Sequence, residues 1–272
     1  MCKVLKIARS TFYYETEISV KKAQEKADEE QELKEKILTI FNQNRYVYGT
    51  RKIKGELKKM GLTVSRRRVG RMMAELGLQS KYAQPSYKPM TSTPNEETYR
   101  NVLNREFKVE EELSVLVSDL TYVKVGQRWN YICFLIDLYN REIVGYSVGE
   151  RKDSTLVQRA FASVKQDLGN VKIFHTDRGS EFKNVAIDEL LLKHKIERSL
   201  SQKGNPYDNA VAEATFKILK TELINGMHFP TLAQLALELF DYVNWYNNKR
   251  SHSSLSYLSP VAYRNLALKK VV

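Results

Sequence analysis

From Leu113 to Val125 the chain alternates like a β-strand, yet the alternation puts a carboxylate where an apolar side chain belongs. The odd positions are Leu113, Val115, Val117, Asp119, Thr121, Val123 and Val125. Residues two apart share one face of a strand, so Asp119 falls on the face its neighbours mark as buried. An unpaired charge there is costly. Two further acids stand in informative contexts. Asp177 ends the short strand-like run that starts at Val171 and precedes the turn Arg178-Gly179-Ser180. Glu213 lies on a helix-like segment. Three acids from separate elements, meeting in one place, would make an oxygen cage for Mg2+ ions.

The segments around these acids point to an architecture. Strands are expected over 129–138 and 142–149, joined by a turn at Asn140-Arg141. The run Tyr131 to Ile136 is apolar on both faces, as a central strand should be. A helix follows over about 155–168, then the Asp177 strand, a helix over 184–193 and a short strand over 196–200. The Glu213 helix begins after the turn Gly204-Asn205-Pro206, with Pro206 suited to a first helical position. Its apolar stripe is Ala212, Phe216, Leu219 and Leu223, and Lys217 and Lys220 share a neighbouring face with Glu213. Lysines beside a metal-binding acid would hold DNA phosphates near the ions, and the same Glu–Lys spacing fits an ordinary surface helix pair. Asp137 reads as a strand-end turn, Asp153 and Asp208 as helix caps. Residues 231–248 form another amphipathic helix, and 247–265 are basic and Ser-rich. Three meandering strands followed by alternating helices and strands predict an α/β layer fold with a mixed sheet.

Charge separates the N-terminal part from the rest. The formal net charge is +12, which favours a polyanionic partner. Between Arg45 and Lys81 eleven Lys and Arg stand against Glu56 and Glu75, leaving +9 on this stretch. Residues 16–44 read as a charged helix with Leu33, Ile37, Ile40 and Phe41 on one stripe. Two helices joined by a tight turn are expected next. Thr50 is placed as the cap of the first, with Ile53, Leu57 and Met60 inward and Gly61 ending it. Ser65 is placed as the cap of the second, with Val69, Met72, Met73 and Leu76 inward and Gly77 ending it. Arg66, Arg67, Arg68 and Arg71 occupy the opposite face, which is the helix-turn-helix arrangement for DNA. A surface helix with solvated arginines is the competing explanation. Residues 82–105 hold Pro85, Pro89 and Pro94 without apolar periodicity and read as a linker. The expected division is 1–44, a basic piece and charged helix; 45–81, a small all-helical helix-turn-helix domain; 82–108, linker; 109–223, catalytic core; and 224–272, C-terminal helix and basic tail.

Several classes are excluded. Cys2 and Cys133 are too few for a disulfide framework or a cysteine-rich zinc site, and they suit a reducing cytoplasm. No apolar run approaches the length of a membrane span, and no signal peptide is visible.

Spacing alone identifies no acid site, since Asp153 and Glu189 have the same separation as Asp177 and Glu213. The surrounding residues are more specific. Asp119-Leu-Thr-Tyr, His175-Thr-Asp-Arg-Gly-Ser-Glu-Phe182, Gly204-Asn-Pro-Tyr-Asp-Asn-Ala-Val-Ala-Glu213 and Tyr246-Asn-Asn-Lys-Arg-Ser-His-Ser-Ser-Leu255 closely resemble bacterial insertion-sequence transposases of the IS-three family. The similarity is to the catalytic subunit made from the second of two overlapping frames, and it covers nearly the whole chain. The resemblance implies an integrase-type core with the ribonuclease H fold. It implies that Asp119, Asp177 and Glu213 are the catalytic, metal-binding acids and that Lys220 occupies the family's basic position. Glu181 stands where many relatives have Gln, and Ser256 where Gly is commoner.

The expected activity is that of a Mg2+-dependent polynucleotidyl transferase acting on DNA. Water activated at two Mg2+ ions held by the triad, with Mn2+ able to substitute, cuts one strand at each element end. The freed 3′-hydroxyl then attacks a phosphodiester in line. The resemblance implies attack on the other end of the same element, through a circular intermediate. Expected partners are element ends and target DNA, further copies of the chain on DNA, and an upstream-frame product or fusion. No membrane is expected, and the location is the bacterial cytoplasm, at the nucleoid. Two other functions remain open on the residues alone: a regulator that uses only its helix-turn-helix, and a ribonuclease of the same fold. Arg250 and His252 fit either DNA contact or a structural tail, and His175 fits a hydrogen-bonding role beside Asp177 better than a general base.

Overall fold

The computed structural model describes residues 4–6, 8–12, 17–83, 109–201 and 209–270. They belong to two compact units, Met1–Pro85 and Ser86–Val272. The linker prolines, the turn Gly204-Asn205-Pro206 and the Asp208 cap lie outside the described residues.

The first unit contains α1 (Arg9–Phe12), α2 (Glu17–Gln43), α3 (Thr50–Lys59) and α4 (Arg66–Glu75). The stripe expected on α2 is buried at Leu33, Ile37, Ile40 and Phe41, and joins Ile53 and Leu57 of α3 and Val69, Met72 and Met73 of α4 in one core. Ser65 caps α4, its hydroxyl accepting a hydrogen bond from the Arg68 N–H at 3.2 Å. Gly61 and Gly77 take φ of +82° and +65°, and the Leu62 and Leu78 N–H groups reach back to the Leu57 and Met73 carbonyls to close the two helices. Two expectations change. Gly49, in extended geometry, occupies the cap position of α3, so Thr50 is already inside the first turn and caps nothing. Met60 falls where the helix has ended and is 57% exposed, so the inward stripe stops at Leu57.

The second unit is built on a five-stranded mixed sheet in the order β3-β2-β1-β4-β5. Its strands are β1 (Val115–Val125), β2 (Arg128–Asp137), β3 (Ile143–Gly149), β4 (Ile173–Thr176) and β5 (Glu197–Leu200). The first three meander antiparallel, and β1–β4 and β4–β5 pair in parallel, as the ribonuclease H fold requires. The helices are α5 (Ser154–Ala162), α6 (Val185–Lys193), α7 (Ala210–Leu219), α8 (Leu232–Asn248) and α9 (Pro260–Lys270). β2 is buried from Ile132 to Ile136, the run that reads as central. A core of Leu116, Cys133, Leu135, Leu156, Phe161, Phe174 and Ile187 brings α5 and α6 against the sheet. Phe216 of α7 stacks on Phe134 at 4.9 Å and 11°.

The α5 helix stops earlier than its periodicity suggests. Ser163 ends it by donating to the Ala160 carbonyl (2.7 Å) while accepting the Tyr146 N–H (2.8 Å), so its hydroxyl joins the helix to β3. Beyond α7 the helix widens into one π-type turn, Lys220–Ile224, which carries Glu222 and Leu223 into the interior. Among the described residues no helix is long and apolar enough to cross a membrane.

Candidate active site

Strand register brings the first two acids together. Val115 pairs with Ile173, Leu116 with Phe174 and Val117 with His175. Continued two residues, that register runs toward Asp119 of β1 and Asp177, just past the end of β4, and Asp177 is, after burial, the strongest influence raising Asp119. Asp119 is half-buried, and its Oδ1 accepts the Leu120 N–H at 2.7 Å. Asp177 turns the chain by accepting the Gly179 N–H at 2.9 Å. A Cβ at Gly179 would meet the carboxylate of buried Glu181, so a larger residue there would displace that side chain.

The third acid arrives on α7. Ala212, Phe216 and Leu219 bury one side of that helix, leaving Glu213 exposed. Asn209, buried just ahead of the helix, donates from Nδ2 to the Ser118 carbonyl at 3.2 Å and so ties the helix start to β1 next to Asp119. The electrostatics show that the three acids share one neighbourhood. Burial, then Asp177, then Glu213 raise Asp119 to about 7, against the Leu120 N–H and Lys152. Burial and Asp177 likewise raise Glu213 above the usual carboxylate range. Among the described residues no three His, Cys, Asp or Glu side chains lie close enough to hold a metal ion as they stand. Like charges hold apart, and two of these carboxylates each spend an oxygen on a neighbouring N–H. The donor set is nevertheless all-oxygen, as a hard divalent cation requires.

Sequence reading missed Lys152. It lies between β3 and α5, in no periodic pattern, and pairs at 3.0 Å with Glu181, whose side chain is 3% exposed. Burial pulls Lys152 down, but Glu181, Asp177 and Asp119 hold it above the ordinary lysine range. It is a cation at the edge of the acid cluster.

Other candidates separate into free and engaged groups. Lys217 is exposed, and Lys220 places its Nζ 4.5 Å from the centre of the Tyr122 ring. Arg66 and Arg67 are exposed and Arg68 is half-buried, while Arg71 is drawn into ion pairs with Glu30 (3.2 Å) and Glu75 (3.5 Å). His175 is buried, with Nδ1 2.8 Å from Ser199 Oγ on β5, consistent with a positioning role. Arg250 is structural: it is buried against Glu222 of the π turn at 2.8 Å. Asp137 accepts the Leu113 and Tyr139 N–H groups at the end of β2, as a strand-end turn should.

The mixed sheet, its strand order and its flanking helices define an integrase-type core. Two family models described as "Integrase core domain" match residues 110–206 and 213–268, and one described as "HTH-like domain" matches 28–86. The transposase for insertion sequence element IS904 of Lactococcus lactis subsp. lactis (strain IL1403) is 36% identical over 231 residues, 84% of this chain and 91% of that protein. The putative transposase InsK for insertion sequence element IS150 of Escherichia coli (strain K12) is 31% identical over 267 residues, 97% of this chain and 92% of that protein. The chain belongs to the insertion-sequence transposases of the IS3 family. Among solved structures, the HTLV-2 integrase catalytic core domain in complex with magnesium aligns at 16% identity and a TM-score of 0.44, over 56% of this chain and 96% of that one. The catalytic core domain of BIV integrase aligns at 18% identity and a TM-score of 0.43, over 58% and 99%.

Proposed function

We propose that this protein is a DNA transposase whose Asp119, Asp177 and Glu213 hold two divalent ions, Mg2+ or Mn2+, for strand cleavage and strand transfer. The observation that carries the reading is the β1–β4 register, which runs toward Asp119 and Asp177, with Asp177 and Glu213 both raising Asp119. When bound, the metal would lower the pKa of the attacking hydroxyl and neutralise charge on the reacting phosphate.

The chain's own groups do the rest. The three carboxylates orient the centre from two strands and a helix that packing makes rigid. Lys217 and Lys220, one and two turns past Glu213, hold phosphates of the DNA that enters it. Lys152 balances the negative charge of the cluster. In the first unit, Arg66, Arg67 and Arg68 supply phosphate and base-edge contacts, and Arg71 does so only by giving up its pairs with Glu30 and Glu75. Several copies assemble on the two element ends, with an upstream-frame product supplied where the element encodes one.

Purified Asp177→Asn tests this. It should lose both cleavage and strand transfer, by a factor of at least ~100, and keep wild-type affinity for end DNA. Residual strand transfer near the wild-type rate would remove Asp177 from this role.

A further inference from the structure

Beyond the acids, the β1–β2 hairpin leaves a pair of aromatic rings in solvent. Tyr122 and Trp129 are 56% and 57% exposed, whereas the chain's other tryptophan, Trp245, is 6% exposed. The two rings meet edge to face, 5.1 Å between centroids at 90°. The hairpin tip is pinned: the Gly126 N–H donates to the Phe229 carbonyl at 2.8 Å, and Val125 bridges to Phe229. The pair is therefore a preformed surface, in a setting where burial would be the ordinary fate of such rings.

Cations surround it. Lys220 sits over the Tyr122 ring, Lys124 lies directly across from Trp129, and Arg128 adjoins it, with Lys124 and Arg128 both exposed. From Leu120 to Tyr131 there is no acid. Interfaces between proteins are depleted of lysine at their centres. Flat rings interleaved with cations and free of acids match unpaired nucleic-acid bases on a phosphate backbone.

Lys220 links the patch to the helix that carries Glu213. Tyr122 is three residues beyond Asp119 in an unbroken register, so its ring leaves the opposite face of β1. Lys220 is seven residues beyond Glu213, about 10 Å along a helix.

We propose that Tyr122 and Trp129, with Lys220, Lys124 and Arg128, form a stacking platform for unpaired DNA bases on the hairpin that extends beyond the acids. The proposal rests on the reading of the acids as a DNA-cutting centre. Once one strand is cut, its flank is free to unstack onto the rings.

The test uses the full chain in EDTA, with a blunt duplex and the same duplex carrying a short oligothymidine tail. Tail binding should quench tryptophan emission, since Trp129 is exposed and Trp245 is not. Trp129→Phe should lose most of the quench and keep the tail affinity, because stacking survives. The double variant Tyr122→Ala/Trp129→Ala should bind the tailed duplex about tenfold more weakly and the blunt duplex within about twofold of wild type. A wild type that binds the tail without quenching, or a double variant with unchanged preference for it, would overturn the platform. So would a double variant that changes only its oligomeric state, which would make the patch a contact between copies. The quench is measured on wild type, so poor folding of a variant leaves it readable. Asp177→Asn separates the two readings: it should keep the quench in EDTA, and cleavage by it once Mg2+ is supplied would sink the acid site alone.

Discussion

At Asp119, burial and two like charges outweigh one N–H and one lysine, and the carboxyl titrates at about 7 in place of 3.8. The folded chain therefore holds a proton that the unfolded chain releases between those values. Folding stability contributed by this residue falls as pH rises through that window. Without divalent cation, Asp119→Asn should melt higher than wild type at pH 8, by ~2–4 °C for each kcal/mol of relieved repulsion, and the gap should close toward pH 4. Thermal melts of both proteins in EDTA at the two pH values check this, and a gap independent of pH would contradict it. Asp119 was legible in the sequence because strand alternation has a period of two and the acid breaks it. Lys152 was not, because a residue in a connection has no period to break, and its relation to Glu181 exists only after folding brings the two loops together.

Between residues and the whole lie the elements, and here the C-terminal motif finds its use. Glu222 rides into the interior on the π turn, where Arg250 binds both of its oxygens and the Tyr242 hydroxyl donates to one of them. A buried charge stripped of its partner is expensive, so Arg250→Met should cost ~3–5 kcal/mol in urea unfolding, and Glu222→Met in the same chain should recover part of that. If Arg250→Met costs under ~1 kcal/mol, the pair is not holding the turn. At the other end of the chain, Ser65→Ala should cost ~1 kcal/mol by removing the cap of α4. Unchanged stability of the helical unit would show the cap to be dispensable. Ser65 could be read in advance because a capping residue and an apolar stripe agreed. Thr50 misled because it is a good capping type one residue too late, after a glycine that takes the extended cap geometry. The π turn left no trace in the sequence, since the stripe through Leu219 and Leu223 continues across it.

Over the whole molecule, the arginines of α4 and the acids of the sheet belong to separate compact units, each with its own core. Affinity and chemistry should therefore respond to different substitutions. Arg66→Ala/Arg67→Ala should weaken binding to all DNA sequences and lower the slope of log affinity against log salt by about 2. An unchanged slope in a salt titration would place the phosphate contacts elsewhere. The layer fold was legible because β2 is apolar on both faces and helices alternate with the later strands. Which acids belong together was legible only through the family motifs around them and not through periodicity, because strand order, with β4 beside β1, is set by long-range pairing. The account stands most directly on Glu213, the acid carried by a helix and not by the sheet. In cells carrying the element, with any upstream frame supplied, outward-facing amplification detects joined element ends. A junction is predicted with the wild-type chain and none with Glu213→Gln; equal junction yield from both would contradict the active site described here.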